Sequence, residues 1–173
     1  MLFRSLLKRS KDYWWFLLQY FKNDNLEFLR NALVDNQNVK EIRILMAPPK
    51  SNETNTVNEE ELCKIMEKAK KFKEQYDKIN FDLKVATSKE IINKLHDRFF
   101  HTKDHSYNFT DFGLVSRSKD VDISDLKENR EVRLNQFTKY WNDEKTYSIF
   151  GNDKSKLLNY VKNEISKTKQ KNN

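Results

Sequence analysis

The chain has 173 residues, of which 37% are hydrophobic and 13% aromatic, so it is long enough for one domain with a buried core and too apolar for a disordered protein. Its formal charge of +7 favours polyanionic partners, either nucleic acid or an anionic membrane surface, although a basic surface can also serve solubility alone. The single cysteine, Cys63, excludes an internal disulfide and a multi-cysteine zinc site, and it predicts a reducing, cytoplasmic location.

Glycine is scarce, and its scarcity excludes two common classes of nucleotide-binding protein. The chain contains 2 glycines, Gly113 and Gly151. Dinucleotide-binding and P-loop folds need several glycines in one short turn, because the backbone must come close to the phosphates. We therefore expect no small-molecule cofactor.

The first predicted elements are an N-terminal segment and a buried strand. Residues 1–12 are basic and apolar and are predicted to form a short helix or an unpaired arm, with anchoring to a membrane surface as an alternative. Residues 13–21, YWWFLLQYF, are the longest apolar run, at about half the length that a bilayer requires. The aromatic residues of this run favour a strand over a helix.

Two helices alternate with two strands in the next part of the chain. The predicted elements are, in order, a helix that starts at Asp24 or Asn25, a strand at residues 39–46, a helix that starts at a capping box of Thr56 and Glu59, and a strand at residues 81–87. The second of these helices repeats apolar residues every three or four positions. A strand, a helix and a strand at this spacing predict a right-handed parallel crossover.

The rest of the chain is predicted to contain a hairpin and further helices. The elements are, in order, a helical turn at residues 88–93, paired strands at 95–102 and 107–115, a polar loop at 116–129, a short strand at 131–134, a helix at 135–141, and a final helix from Asp153 that frays beyond residue 166. The fold class is α/β, with a mixed, mostly parallel sheet flanked by helices. The predicted organisation is an arm or short helix at 1–12, an α/β domain at 13–150, and a C-terminal amphipathic helix with a basic tail at 151–173.

All 3 histidines fall in the single stretch HDRFFHTKDH. His96, His101 and His105, together with Asp97 and Asp104, are of the residue types that bind zinc. On a strand, however, His96 and His101 would point to opposite faces. We therefore predict no metal site, and we interpret His101 and His105 as surface residues at the tip of the hairpin.

His96 and Arg98 are the candidate site residues. Both lie on the strand predicted at 95–102, where residues two positions apart point to the same face. An imidazole and a guanidinium that point to one place can form an anion pocket. The alternative is that His96 is a hydrogen-bonded structural residue and that Asp97 and Arg98 bond to local loops or to each other.

The order of the predicted elements resembles that of a single phospholipase D-like unit. The segments that carry the resemblance are, in order, WFLLQYF, VKEIRIL, FDLKVAT, LHDRFF and YNFTDFGLVS. The order is most similar to that of the phospholipase D-like domain at the C-terminus of MIT-domain proteins, in which an IRIL-type strand, an LHDR strand and an FG-containing strand occur. The resemblance covers residues 13–141, with LHDR as its compact signature, and it implies a phospholipase D-like fold.

The same resemblance implies site residues and shows where this chain departs from the family pattern. That pattern is His-x-Lys, four further residues and Asp; the histidine attacks phosphorus, and the lysine stabilises the oxyanions. His96 matches the nucleophile, and Arg98 takes the place of the lysine. Lys103 stands at the acid position, with Asp104 one residue late, and Ser116 stands near the Gly/Ser turn. One unit supplies half of a two-histidine site, so catalysis would require a homodimer.

These departures imply a degenerate domain that recognises phosphodiester or other anionic groups, with nucleic acid as the favoured ligand, without efficient catalysis. One alternative is a protein or membrane interaction module that binds acidic phospholipid headgroups. Another is a homodimeric phosphodiesterase or nuclease that forms a phosphohistidine at His96. The expected anion-binding residues are Arg98, Arg117 and Lys119, and the catalytic set, if the protein is an enzyme, is His96, Arg98, Asp104 and Ser116.

Overall fold

The structure is built around one sheet with helices on both faces. A computed structural model describes residues 3–51, 55–110, 112 and 122–171. Within these residues the helices are α1 (Phe3–Arg9), α2 (Asn25–Val34), α3 (Glu59–Gln75), α4 (Lys89–Lys94), α5 (Arg130–Trp141) and α6 (Asp153–Lys171). The strands are β1 (Asp12–Leu18), β2 (Val39–Met46), β3 (Asn80–Ala86), β4 (Phe99–His101), β5 (Ser106–Phe109), β6 (Ile123–Asp125) and β7 (Thr146–Ser148).

The described strands form a seven-stranded sheet in the order β6-β5-β4-β1-β2-β3-β7. β1, β2 and β3 are parallel, because α2 and α3 carry the chain back between them. The pairs β1–β4, β4–β5, β5–β6 and β3–β7 are antiparallel. The fold is therefore α/β with a mixed sheet flanked by helices, and the prediction of a mostly parallel sheet is wrong. Among the described residues, no helical crossover connects β4, β5, β6 or β7 to a parallel neighbour in the sheet. These strands therefore pair in the antiparallel sense.

The two faces of the sheet carry separate cores. The first face is covered by α1, α2, α3 and α6, and its strand residues include the fully buried Phe16, Ile44 and Leu83. The second face carries a smaller core under α4 and α5, which includes Leu17 and Leu45. Because neighbouring residues of a strand point to opposite faces, β1 and β2 contribute to both cores.

The direction of β4 decides which polar residues can meet. We call the edge at the carboxyl ends of β1, β2 and β3 the carboxyl edge, and the opposite one the amino edge. Leu17, near the end of β1, pairs with Phe99, the first residue of β4. β4 therefore starts at the carboxyl edge and runs towards the amino edge. The turn that follows β4, with Asp104 and His105, lies at the amino edge.

The helix α1 is part of the first-face core. The ring centroid of Phe3 lies 5.2 Å from that of Phe100, and Leu7 is fully buried. The side-chain amide of Asn36 donates hydrogen bonds to the backbone oxygens of Leu7 and Ser10, over 2.6 and 2.7 Å. These contacts attach the N-terminal segment to the sheet through apolar packing and through its backbone.

The C-terminal helix α6 also belongs to this core. Leu157 and Val161 are fully buried against the first face. The helix continues to Lys171. In the described part of the chain, no helix has both the length and the apolar character that crossing a membrane requires.

The start of α3 differs from the prediction. Asn58, rather than Thr56, is the N-cap: its side-chain oxygen accepts a hydrogen bond from the backbone N–H of Glu61 over 2.9 Å. Glu59 is the first residue of the helix instead of the third. Asn and Thr are both good N-caps, and the sequence offers both within a few positions, so residue type alone did not separate the two starts.

Three further predictions fail after the hairpin. Residues 131–134 lie in α5 instead of a strand, and Val132 is 63% exposed there. Residues 123–125 form β6 inside the predicted loop, and β7 was not predicted at all. β6 and β7 are edge strands that pair on one side with β5 and β3, so their own residues carry little apolar alternation.

Candidate anion-binding site

His96 and Arg98 lie in the turn between α4 and β4, not on a strand. α4 ends at Lys94, and the fully buried Leu95 follows as its C-cap. Strand pairing begins only at Phe99, where β1 offers a partner. The predicted strand is therefore wrong in its first half, and the rule that residues two positions apart share a face does not place these two side chains.

Both side chains nevertheless contact the side-chain amide of the same residue, Gln19. Nη2 of Arg98 donates to Oε1 of Gln19 over 3.3 Å, and Nε2 of Gln19 lies 3.3 Å from Nε2 of His96. Since the amide oxygen accepts from Arg98, the amide nitrogen faces His96 and donates to it.

Gln19 was not among the predicted site residues. It directly follows β1, at the carboxyl edge, where the neighbour of β1 on one side is parallel and on the other antiparallel. In open α/β sheets, ligands bind outside the carboxyl ends of the strands, where the connections change direction. The sequence signal that could have identified Gln19 is the one polar side chain inside the apolar run WFLLQYF.

The guanidinium of Arg98 is held at this edge by further contacts. Its Nη1 donates to the backbone oxygen of Thr110. Its central carbon lies 5.7 Å from the ring centroid of Tyr20, whose side chain is 52% exposed. Among the described residues, no carboxylate oxygen lies within 4.0 Å of this guanidinium. The positive charge of Arg98 is oriented but not neutralised by them.

Asp97 pairs with α5 instead of with Arg98. Its Oδ2 lies 3.5 Å from Nη1 of Arg133. The guanidinium of Arg133 also lies over the ring of Phe99, 4.5 Å from its centroid. The alternative of a local pair between Asp97 and Arg98 is therefore not present in the structure.

Of the other predicted site residues, the structure describes Asp104 alone. Asp104 lies at the amino edge, at the far end of β4, and the structure does not bring it to His96. Ser116, Arg117 and Lys119 lie outside the described residues.

His101 is fully buried, and its interpretation as a surface residue is wrong. Its Nδ1 lies 2.7 Å from Oγ of Ser106, and its ring meets that of Phe137 edge-on at 6.0 Å. Burial, together with the charges of Arg130 and Arg133, lowers the pKa of His101 to about 3. The ring is neutral at physiological pH. β4 is an interior strand of the sheet and is covered by α5. The residues of the hairpin alone do not show this position.

The three histidines occupy three different environments. His105 is at the hairpin tip with 49% of its side chain exposed, as predicted, and its Nδ1 lies 3.2 Å from Oδ2 of Asp125. His96 lies at the opposite edge, and His101 lies in the core. In the part of the chain that the structure describes, no three His, Cys, Asp or Glu side chains form a group that could hold a metal ion.

The fold and the site together define an α/β protein with a candidate anion-binding cluster at the carboxyl edge of a mixed sheet. No protein-family model matches the chain, and no curated protein matches it in sequence.

Proposed function

We propose that this protein is a degenerate phospholipase D-like domain that binds phosphodiester or other anionic groups, with nucleic acid as its principal ligand. The observation that carries the proposal is the convergence of His96 and Arg98 on Gln19. A guanidinium can donate two parallel hydrogen bonds to phosphate oxygens, and it keeps its charge at every physiological pH. His96, at the amide nitrogen of Gln19, adds a second hydrogen-bonding group to the cluster.

The same contacts support binding without efficient turnover. A phosphohistidine forms only if a ring nitrogen presents a free lone pair to phosphorus. The Nε2 lone pair of His96 accepts a hydrogen bond from Gln19 instead. Asp104, the residue nearest the aspartate position of the family pattern, lies at the amino edge, at the other end of β4 from His96.

The charge of the chain favours nucleic acid over a single small anion. A formal charge of +7 attracts an extended polyanion over a long range, and the attraction weakens as salt is added. The tryptophans do not offer open rings to bases. Trp14 is fully buried, Trp141 is 6% exposed, and Trp15 lies between Tyr13 at 4.5 Å and Phe137 at 5.2 Å. Contacts to phosphate carry no sequence information, so we expect binding with little sequence preference.

The test compares two variants that each lose one guanidinium. Arg98→Ala removes it at the carboxyl edge, and Arg9→Ala removes it from the end of α1, at the amino edge. Fluorescence anisotropy with labelled single-stranded DNA, duplex DNA and RNA would give Kd at two salt concentrations. We expect Arg98→Ala to raise Kd about tenfold, or about 1.4 kcal/mol, as the loss of charged hydrogen bonds predicts. Arg9→Ala should raise Kd less than threefold or so.

The remaining outcomes separate the alternatives. Equal Kd values for Arg98→Ala and Arg9→Ala, with both variants folded by circular dichroism, would reject the site. Tighter binding to phosphatidylserine liposomes than to nucleic acid would identify the membrane module instead. Cleavage of any of the nucleic acids by the wild type, lost in His96→Ala, would identify the homodimeric phosphodiesterase.

A further inference from the structure

A cavity lies at the amino edge, away from His96 and Arg98. It has a volume of about 490 Å³ and opens between the end of α1 and the strands β5 and β6. Small organic ligands occupy cavities of about this size, with an apolar lining and a few oriented polar groups. The apolar lining includes Leu6, Tyr107 and Ile123, and the polar lining includes Asp104, His105 and Asp125.

The imidazole of His105 is oriented by its neighbours. Oδ2 of Asp125 lies 3.2 Å from Nδ1, and the ring stacks on Tyr107 with 5.7 Å between centroids. The backbone N–H of His105 donates to Oγ1 of Thr102 over 3.0 Å. The Nδ1–H donates to this carboxylate, so Asp125 fixes the orientation of the ring.

The polar lining is rich in acceptors that lack partners within the described residues. These acceptors are Oδ1 of Asp125 and the carboxylate of Asp104. Arg9 also lines the cavity, but its guanidinium lies more than 4.0 Å from both carboxylates. One arginine and two aspartates contribute a formal charge of −1 to this lining.

We infer that this cavity binds a small organic ligand that carries a protonated amine on an apolar body. The amine donates hydrogen bonds to Asp104 and Asp125, and the body packs on the apolar lining. A negative, acceptor-rich lining favours a cationic donor, whereas a carboxylate ligand would meet like charge. The site is independent of the anion-binding site, because it lies at the other end of β4 and uses other residues.

Two matched probes test the charge preference. Phenethylamine and 3-phenylpropionate share a phenyl ring on a short chain and differ in the sign of the terminal charge. We expect phenethylamine to shift the ring signals of His105 in NMR spectra with saturation, at a Kd of about 1–10 mM for a ligand of this size. The carboxylate probe should produce no saturable shift. No saturable shift with the amine, or tighter binding of the carboxylate, would overturn the inference.

Variants then test the residues. Asp125→Asn keeps an acceptor for His105 but removes the charge, and we expect it to raise the Kd of phenethylamine about tenfold. Arg9→Gln removes a competing cation and should lower the Kd or leave it unchanged. Asp97→Asn, which removes a carboxylate at the carboxyl edge, is the control and should not change it. Equal weakening by Asp97→Asn and Asp125→Asn would show a nonspecific charge effect and would reject the site. None of these measurements involves nucleic acid, so failure here leaves the proposed function untouched.

Discussion

Arg98 donates through Nη2 to the side-chain oxygen of Gln19 over 3.3 Å, and this hydrogen bond orients both groups at the carboxyl edge. It also decides the direction of the amide, whose nitrogen then faces His96. An amide is neutral, so it positions the guanidinium without neutralising it. The charge at position 19 should therefore control anion binding.

Gln19→Glu is expected to weaken nucleic-acid binding at least about tenfold, because the new carboxylate would pair with Arg98 and repel phosphate. The measurement is the Kd from fluorescence anisotropy at low salt. Gln136→Glu is a matched control: the side chain of Gln136 accepts from Arg133 over 2.9 Å, so the same charge is added beside an arginine of α5. Wild-type affinity in Gln19→Glu would mean that the cluster does not bind the ligand.

Tyr20 is expected to distinguish single strands from duplexes. The residue is 52% exposed, and its ring centroid lies 5.7 Å from the guanidinium carbon of Arg98, so a base next to a bound phosphate can stack on the ring. Loss of base stacking costs about 1–3 kcal/mol, and we expect Tyr20→Ala to raise Kd for single-stranded DNA at least about fivefold. Tyr20→Phe should bind like the wild type.

Duplex DNA keeps its bases stacked inside, and so its Kd should change little in Tyr20→Ala. A loss of the same size for both ligands would show that Tyr20 only supports Arg98 and stacks on no base.

Phe3→Ala is expected to lower the free energy of unfolding by about 3 kcal/mol, because Phe3 is 4% exposed and its ring packs on Phe100 and Phe109. Urea denaturation monitored by circular dichroism would measure the change. Val34→Ala, at a position that is 72% exposed, should change it by less than about 0.5 kcal/mol. Similar small effects of both substitutions would mean that α1 is a loosely attached arm.

His101 should make the stability of the protein fall in acid. Its pKa is about 3 in the folded protein and 6.5 in the unfolded chain, so below about pH 6.5 the unfolded state binds a proton that the folded state does not. The free energy of unfolding therefore decreases as the pH falls from 6.5 towards 3, by up to about 1.4 kcal/mol per pH unit.

The comparison that isolates this effect is wild type against His101→Phe, with urea denaturation at several pH values between about 4.5 and 7. The carboxylates titrate in both proteins, so their contributions cancel in the difference. We expect the free energy of unfolding of the wild type to fall relative to that of the variant as the pH falls. A difference that is constant with pH would show that His101 is protonated without unfolding.

Elements with strong apolar patterns could be predicted from the sequence. β2 is confirmed as a strand at Val39–Met46, and the long amphipathic helix is confirmed as α3. The antiparallel hairpin of β4 and β5 is also confirmed, although both strands are shorter than predicted. β6 and residues 131–134 were predicted wrongly, because a short edge strand and a polar helix surface are decided by their neighbours, not by their own periodicity.

The sequence by itself determined the charge of the chain, the absence of an internal disulfide from a chain with one cysteine, and the residue types that could form an anion-binding site. Only the tertiary structure decided which of them meet. Gln19 reaches His96 and Arg98 because β1 pairs with β4 across a long separation in the chain, and the same pairing buries His101. Such contacts depend on strand order and direction, which follow from how the whole chain buries its apolar surface.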